Sequence, residues 1–163
     1  MKPWQRRSIG ILTLLGGILG AVMATGILLA RGNVLEVLIC VAFIAYYLWG
    51  IWCGVNLLRN SSGAVRSAVR HWACQVPTFG SPLIGYFLAS GFHLTVWLNF
   101  SDLKFGVNFL LGSTFTYSFM EPGKPWYLGV NLFAAAMVWW LASVKRKAAA
   151  VEAPEAQVLT RSA

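Results

Sequence analysis

The stretch Leu103-Lys104-Phe105-Gly106-Val107-Asn108-Phe109-Leu110-Leu111-Gly112-Ser113-Thr114-Phe115-Thr116-Tyr117-Ser118-Phe119 alternates two kinds of residue. Apart from Ser113, its odd positions are apolar or aromatic. Its even positions are small or polar, apart from Leu110. Successive side chains of a strand point to opposite faces, so a period of two held this long predicts β structure with one apolar side. Gly112-Ser113 interrupts the run near its middle. Directly opposed residues share a face, so only a loop of odd length near Gly112 to Thr114 keeps the apolar side together, with Phe109 opposite Tyr117 and Val107 opposite Phe119. The reading is a small β-hairpin over about 103–119, with Phe105, Val107, Phe109, Phe115, Tyr117 and Phe119 on its apolar face. An isolated hairpin is marginal in water, so this face must pack on the rest of the chain or meet a second copy.

Around this segment the chain reads as a membrane protein. Of its 163 residues 58% are hydrophobic and 11% charged, against roughly 45–50% and about 25% in soluble domains. Four apolar runs, about 9–30, 34–58, 82–100 and 126–144, are long enough to cross a bilayer. The expected fold is therefore all-α: four transmembrane helices in one domain over 1–147, with the hairpin outside. Val22-Met23-Ala24 offers a signal-peptide cleavage site in the first run, but apolar residues continue past it and favour an uncleaved anchor. Gly16, Gly20 and Ala24, and again Ser81, Gly85 and Ala89, recur at every fourth residue and give flat helix faces suited to close packing. Asn33 with Glu36 reads as an N-cap and its N3 partner.

Charge sets the orientation. Lys2, Arg6, Arg7, Arg59, Arg66, Arg70, Lys145, Arg146, Lys147 and Arg161 fall on one side, and only Arg31, Lys104 and Lys124 on the other. The positive-inside rule then puts both ends in the cytoplasm, in a multi-pass protein of a bacterial inner membrane. Trp4, Trp52, Trp72 and Trp140 fall near the inner interface, and Trp97 and Trp126 near the outer one. After Asn60-Ser61-Ser62-Gly63, Val65, Ala68, Val69 and Trp72 share one helical face, with Arg66, Arg70 and His71 on the other. This short amphipathic helix suits an anionic inner leaflet. Residues 148–163 read as a disordered cytoplasmic tail.

Chemistry is sparse. The net charge of +8 lies in clusters between apolar runs, so nucleic acid is not expected as a direct partner. Cys40, Cys53 and Cys74 form no CxxC pair. The chain has a single Asp, which excludes an aspartyl peptidase dyad. His71 and His93 lie at different depths and cannot share a haem iron. No catalytic residue, cofactor or metal is expected. Glu36, His93 and Asn131 are the candidate functional polar residues within the membrane, with His93 placed to pair with Glu36. Gly-Val-Asn occurs at 54–56, 106–108 and 129–131 in irregular spacing and reads as coincidence. The expected function is a non-catalytic membrane protein that self-associates and serves as anchor, sensor or assembly subunit for a cytoplasmic partner. An oligomeric pore or small transporter is the alternative, and a membrane immunity or inhibitor protein the third option.

Overall fold

The computed structural model describes residues 1–30, 33–144 and 146; the expected tail lies outside them. Two long helices form the backing of the molecule. α1 (Pro3–Leu29) opens with Pro at a position where its missing N–H costs nothing. α2 (Val34–Arg59) is capped by Asn33, whose side chain accepts a hydrogen bond from Leu35 N at 3.0 Å. It ends on Asn60 in the left-handed conformation, φ 57°. The pair is antiparallel and closely packed through glycine. Side chains at Gly10 and Gly17 would strike the α2 backbone at Gly54 and Tyr47, and one at Gly20 would enter the Tyr47 ring. Both helices are long and apolar enough to cross a membrane, a property that spans share with signal sequences.

Two short helices lie against one end of this pair. α3 (Ala64–Ala73) runs back along α2, and α4 (Leu132–Val144) packs beside it. Ala68, Trp72, Ala134 and Leu141 join Ile9 and Leu57 in one buried cluster. Trp72 Nε1 donates to Thr13 Oγ1 of α1 at 3.2 Å, and Tyr46 OH donates to His71 O at 2.8 Å.

The other end carries an antiparallel sheet of six strands: β1 (Pro77–Gly80), β2 (Ile84–Ala89), β3 (Phe92–Asn99), β4 (Lys104–Leu111), β5 (Thr114–Phe119) and β6 (Tyr127–Asn131), in spatial order β4-β3-β6-β1-β2-β5. The sheet curls into a half-barrel. Phe87 of β2 and His93 of β3, with β1 and β6 between them in the sheet, meet edge to face at 5.0 Å across the concave side. Its convex side docks β2 and β5 on the helix pair, where Leu88 and Phe115 join Ala24, Cys40 and Tyr47, and Phe115 stacks on Phe43 at 4.2 Å.

The four-span all-α bundle is therefore overturned: the structure has two candidate spans and a sizeable β half-barrel. The third apolar run, 82–100, is β2 and β3. Its four-residue spacing of small residues suggested a helix, but hydropathy alone does not separate one span from two successive buried strands. Tyr86, Phe87, Thr95, Val96 and Trp97 are strand formers, and Gly91 at φ 89° turns the chain between them. The fourth run, 126–144, divides at Asn131. Tyr127–Asn131 is strand β6, and Asn131 Oδ1 then caps α4 by accepting from Ala134 N at 3.2 Å. α4 is about 20 Å long at ~1.5 Å per residue, short of the ~30 Å hydrocarbon core.

The hairpin is corrected as well. β4 and β5 occupy the expected stretch, but β4 pairs with β3 and β5 with β2. Phe109 lies opposite Leu94 and Tyr117 opposite Tyr86, not opposite each other. With two strands read as helix, the local sequence left β4 and β5 only each other as partners.

Candidate functional site

Strand alternation divides the sheet by polarity. Register places His93, Thr95, Trp97 and Asn99 of β3 on the same face as Asn108 of β4, Tyr127, Gly129 and Asn131 of β6 and Thr78 of β1. Phe87, Thr114 and Thr116 complete that face from β2 and β5. All of these but Gly129 and Asn131 line a cavity of about 520 Å³, with Leu110 and Pro125. The opposite face carries Phe105, Val107, Phe109, Leu98, Leu128 and Val130, all exposed. The inside mixes hydroxyls, amides and an imidazole with aromatic rings, and the outside is apolar.

Three inward polar side chains are buried without support from their neighbours. Thr78 is 1%, His93 1% and Thr95 3% exposed. Among the described residues no hydrogen-bond partner is found for either hydroxyl or for either imidazole nitrogen. Buried polar atoms are normally paired, and leaving one unpaired costs about 1–3 kcal/mol. Among the described residues no Asp, Glu, Lys or Arg lines the cavity. It offers hydroxyls, amides and an imidazole beside aromatic rings.

Trp97 forms the centre of one wall. It sits between Gly106 and Gly129, and a side chain at either position would collide with it. Two of the three Gly-Val-Asn sequences thus flank β3 symmetrically. Each sets its glycine beside Trp97, its valine beside Val96 on the convex face, and its asparagine beside Thr95. The third, at 54–56, lies in α2.

The inner end of the cavity is tied to the helices. Ser113 Oγ donates to Gly16 O at 2.6 Å and accepts from Gly91 N at 3.1 Å. Gln75 Oε1 accepts from Ser90 N at 2.8 Å. A side chain at Gly16 would strike Ser90 and Gly91, so this glycine admits the β2–β3 turn to the middle of α1.

The expected site residues scatter. His93 is in the cavity and makes no hydrogen bond to Glu36, which lies in the first turn of α2. Asn131 is a helix cap at the sheet's edge with α4. Arg66 and Arg70 are exposed on α3, where they form a hollow of about 430 Å³ with Val69, Ala142 and Arg146. His71 departs from that polar face: it is buried, stacked on Tyr46 at 4.7 Å and placed over Gly50. Trp72 is likewise buried, and Trp97 is half-buried in the wall of the cavity. Phe115 and Tyr117 pack toward the helices, while Phe105, Val107, Phe109 and Phe119 stay exposed. Sequence reading missed Thr78, Thr95, Trp97, Asn108, Thr114, Thr116 and Tyr127. The polar even positions of 104–118 carried the signal for three of these seven. No group of three His, Cys, Asp or Glu among the described residues is placed to hold a metal ion.

No family model, curated protein or solved structure matches the chain.

Proposed function

We propose that this chain is a non-catalytic sensor or binding protein of the bacterial inner membrane, held in the bilayer by α1 and α2, whose half-barrel binds a neutral, hydrogen-bonding ligand. The observation that carries this reading is the set of three buried polar side chains, Thr78, His93 and Thr95, that share one cavity and lack partners among the described residues. A ligand with hydroxyl or amide groups would bond to the exposed Asn108 and Thr116 of the lining and, where the wall parts around it, to those three side chains, and a flat apolar face on it would stack on Trp97 or Tyr127. An ionised ligand would meet no countercharge there and would be disfavoured by desolvation. The anionic inner leaflet would bind the basic end formed by Arg66, Arg70 and Arg146, and any cytoplasmic partner would meet the chain at that end.

Two measurements test this. Reporter fusions at Asn60 should read cytoplasmic and at Glu121 external, as the charge asymmetry demands; the opposite pattern removes the orientation. Protein purified from its own membranes is then extracted and its small molecules measured by mass spectrometry. One uncharged species should accompany the wild type in near-equal amount and be depleted from Thr95→Val and His93→Phe. Identical extracts from all three proteins would sink the binding reading.

A further inference from the structure

The half-barrel turns outward what a protein in water turns inward. Phe105, Val107 and Phe109 of β4 are 67%, 59% and 62% exposed. Two rows continue them across the sheet: Phe105, Leu98 and Leu128, then Val107, Val96 and Val130. Leaving one large apolar side chain in water rather than burying it forgoes roughly 1.5–3 kcal/mol. Patches of neighbouring side chains beyond a few hundred Å² are rare on soluble monomers.

Depth identifies what covers this face. The β2–β3 turn meets α1 at Gly16, roughly 20 Å before the Leu29 end at ~1.5 Å per residue. From there the sheet extends toward that same end, since Phe115 packs on Phe43 and Leu88 joins the cluster of Ala24 and Cys40. β4, with eight residues, covers about 26 Å at ~3.3 Å per residue. The sheet thus lies beside the helix pair rather than wholly beyond its ends. Leu19, Val22, Leu38 and Val41 of the helices are exposed over the same stretch.

We propose that the convex face of β4, β3 and β6 is a lipid-contact surface, with the half-barrel set into the hydrocarbon layer beside the C-terminal half of α1 and the N-terminal half of α2. The proposal rests on the reading of α1 and α2 as membrane spans. Its occupant is the acyl chains of bilayer lipids. Apolar-out and polar-in alternation is the pattern of strands that face lipid. β3, β6, β1 and β2 are paired on both sides, as a medium without hydrogen-bonding groups requires. The strands with one unpaired edge, β4 and β5, both contribute residues to the cavity, through Asn108 and Leu110 and through Thr114 and Thr116. The charged pairs Asp102–Lys104 and Glu121–Lys124 lie in or beside the loops at the far end of the sheet, where headgroups and water begin.

The test uses the full chain in nanodiscs of phosphatidylcholine and phosphatidylglycerol, with Cys40→Ala, Cys53→Ala and Cys74→Ser. Single spin labels are placed at Phe105, Val107 and Phe109, at Asn108 on the concave face, and at Leu48 on the exposed side of α2. Collision with oxygen, which partitions into lipid, is compared with collision with a water-soluble nickel chelate. The convex sites and Leu48 should favour oxygen several-fold, and Asn108 should favour nickel. Nickel preference at Val107 and Phe109 with oxygen preference at Leu48 overturns the proposal but leaves the spans. Shielding of the convex sites from both reagents also overturns it, in favour of a second copy or another protein. Nickel preference at Leu48 too overturns the span reading itself. A second measurement needs no substitution: phospholipid with a diazirine in its acyl chain should cross-link within Phe105–Leu111. Cross-links confined to α1 and α2 would refute lipid contact by the sheet.

Discussion

The two ends of the helix pair carry structures of opposite polarity. At one end α3 and α4 enclose an apolar cluster of Ile9, Leu57, Ala68, Trp72 and Leu141 and expose Arg66, Arg70 and Arg146. At the other the half-barrel encloses Thr78, His93 and Thr95 and exposes Phe105, Val107 and Phe109. The first is arranged as proteins are in water, and the second is its inverse. The same backing helices serve both ends through different contacts: Ile9 and Leu57 join the apolar cluster at one, while Phe43 and Tyr47 meet Leu88 and Phe115 at the other. A fold can thus hold a polar interior without a charged surface, provided its outer medium is apolar.

The largest test of this division is Gly16→Leu. A side chain there meets Ser90 and the Gly91 backbone, and the turn cannot retreat without breaking either its own bond to Ser113 or the Ser113–Gly16 hydrogen bond. Overpacking of this kind costs about 3 kcal/mol or more. Hydrogen exchange should show protection lost in β2 to β5 and kept in α3 and α4. Equal loss at both ends would mean that they unfold as one unit and that the comparison has no energetic content.

The basic end gives the next effect. Each basic residue near an anionic leaflet contributes about 1 kcal/mol, so Arg66→Glu with Arg70→Glu should weaken vesicle binding by at least about 30-fold. A peptide covering 62–75, measured against vesicles with and without phosphatidylglycerol, reads this directly. Equal binding to neutral vesicles would leave Arg66 and Arg70 as a solvated surface only.

How much of this was legible in the sequence follows from the physics of each element. α1, α2 and α3 were visible because long apolar runs and a helical stripe are local signals. The strands β4 and β5 were visible from alternation, but their partners were not, because pairing depends on segments distant in sequence. β2, β3 and β6 were hidden by the apolar convex face itself: Phe92, Leu94, Val96 and Leu98 in one strand raise hydropathy to that of a span. The cavity was written in the other half of the alternation. Asn108 and Thr116 were read as the polar side of a hairpin and Thr95 as part of a helical span, and only the curl of the sheet brings them together on its inner side. The Gly-Val-Asn sequences holding Gly106 and Gly129 were read as coincidence, because their shared place beside Trp97 is a matter of register.

A smaller effect sharpens the contrast within the helical end. Trp72→Phe keeps a six-membered aromatic ring but removes the pyrrole half of the indole and with it the donor to Thr13 Oγ1. Loss of one such bond costs about 1 kcal/mol, and the buried Thr13 hydroxyl and the space left beside it add to the cost. Thermal unfolding in detergent should show a lower midpoint, and a Thr13→Val partner substitution should recover part of the loss. No change in Trp72→Phe would indicate that the hydrogen bond contributes nothing to the apolar end.

The smallest expected effect has the opposite sign. Thr95→Val removes a hydroxyl that is 3% exposed and has no partner among the described residues, and valine matches its shape. In protein stripped of ligand, removal of an unpaired buried polar atom should leave stability unchanged or raise it by about 0.5–1 kcal/mol. The nearly isosteric valine adds no methylene that could overpack the wall. A group kept at a cost to stability is expected where it serves binding. Unfolding curves of wild type and Thr95→Val, each stripped and each with its native extract restored, separate the two roles. The variant should match or exceed the wild type when stripped and fall below it when the extract is added. A variant less stable than the wild type in both conditions would mean that Thr95 is an ordinary structural hydroxyl, and that the half-barrel is an interior like the one at the other end.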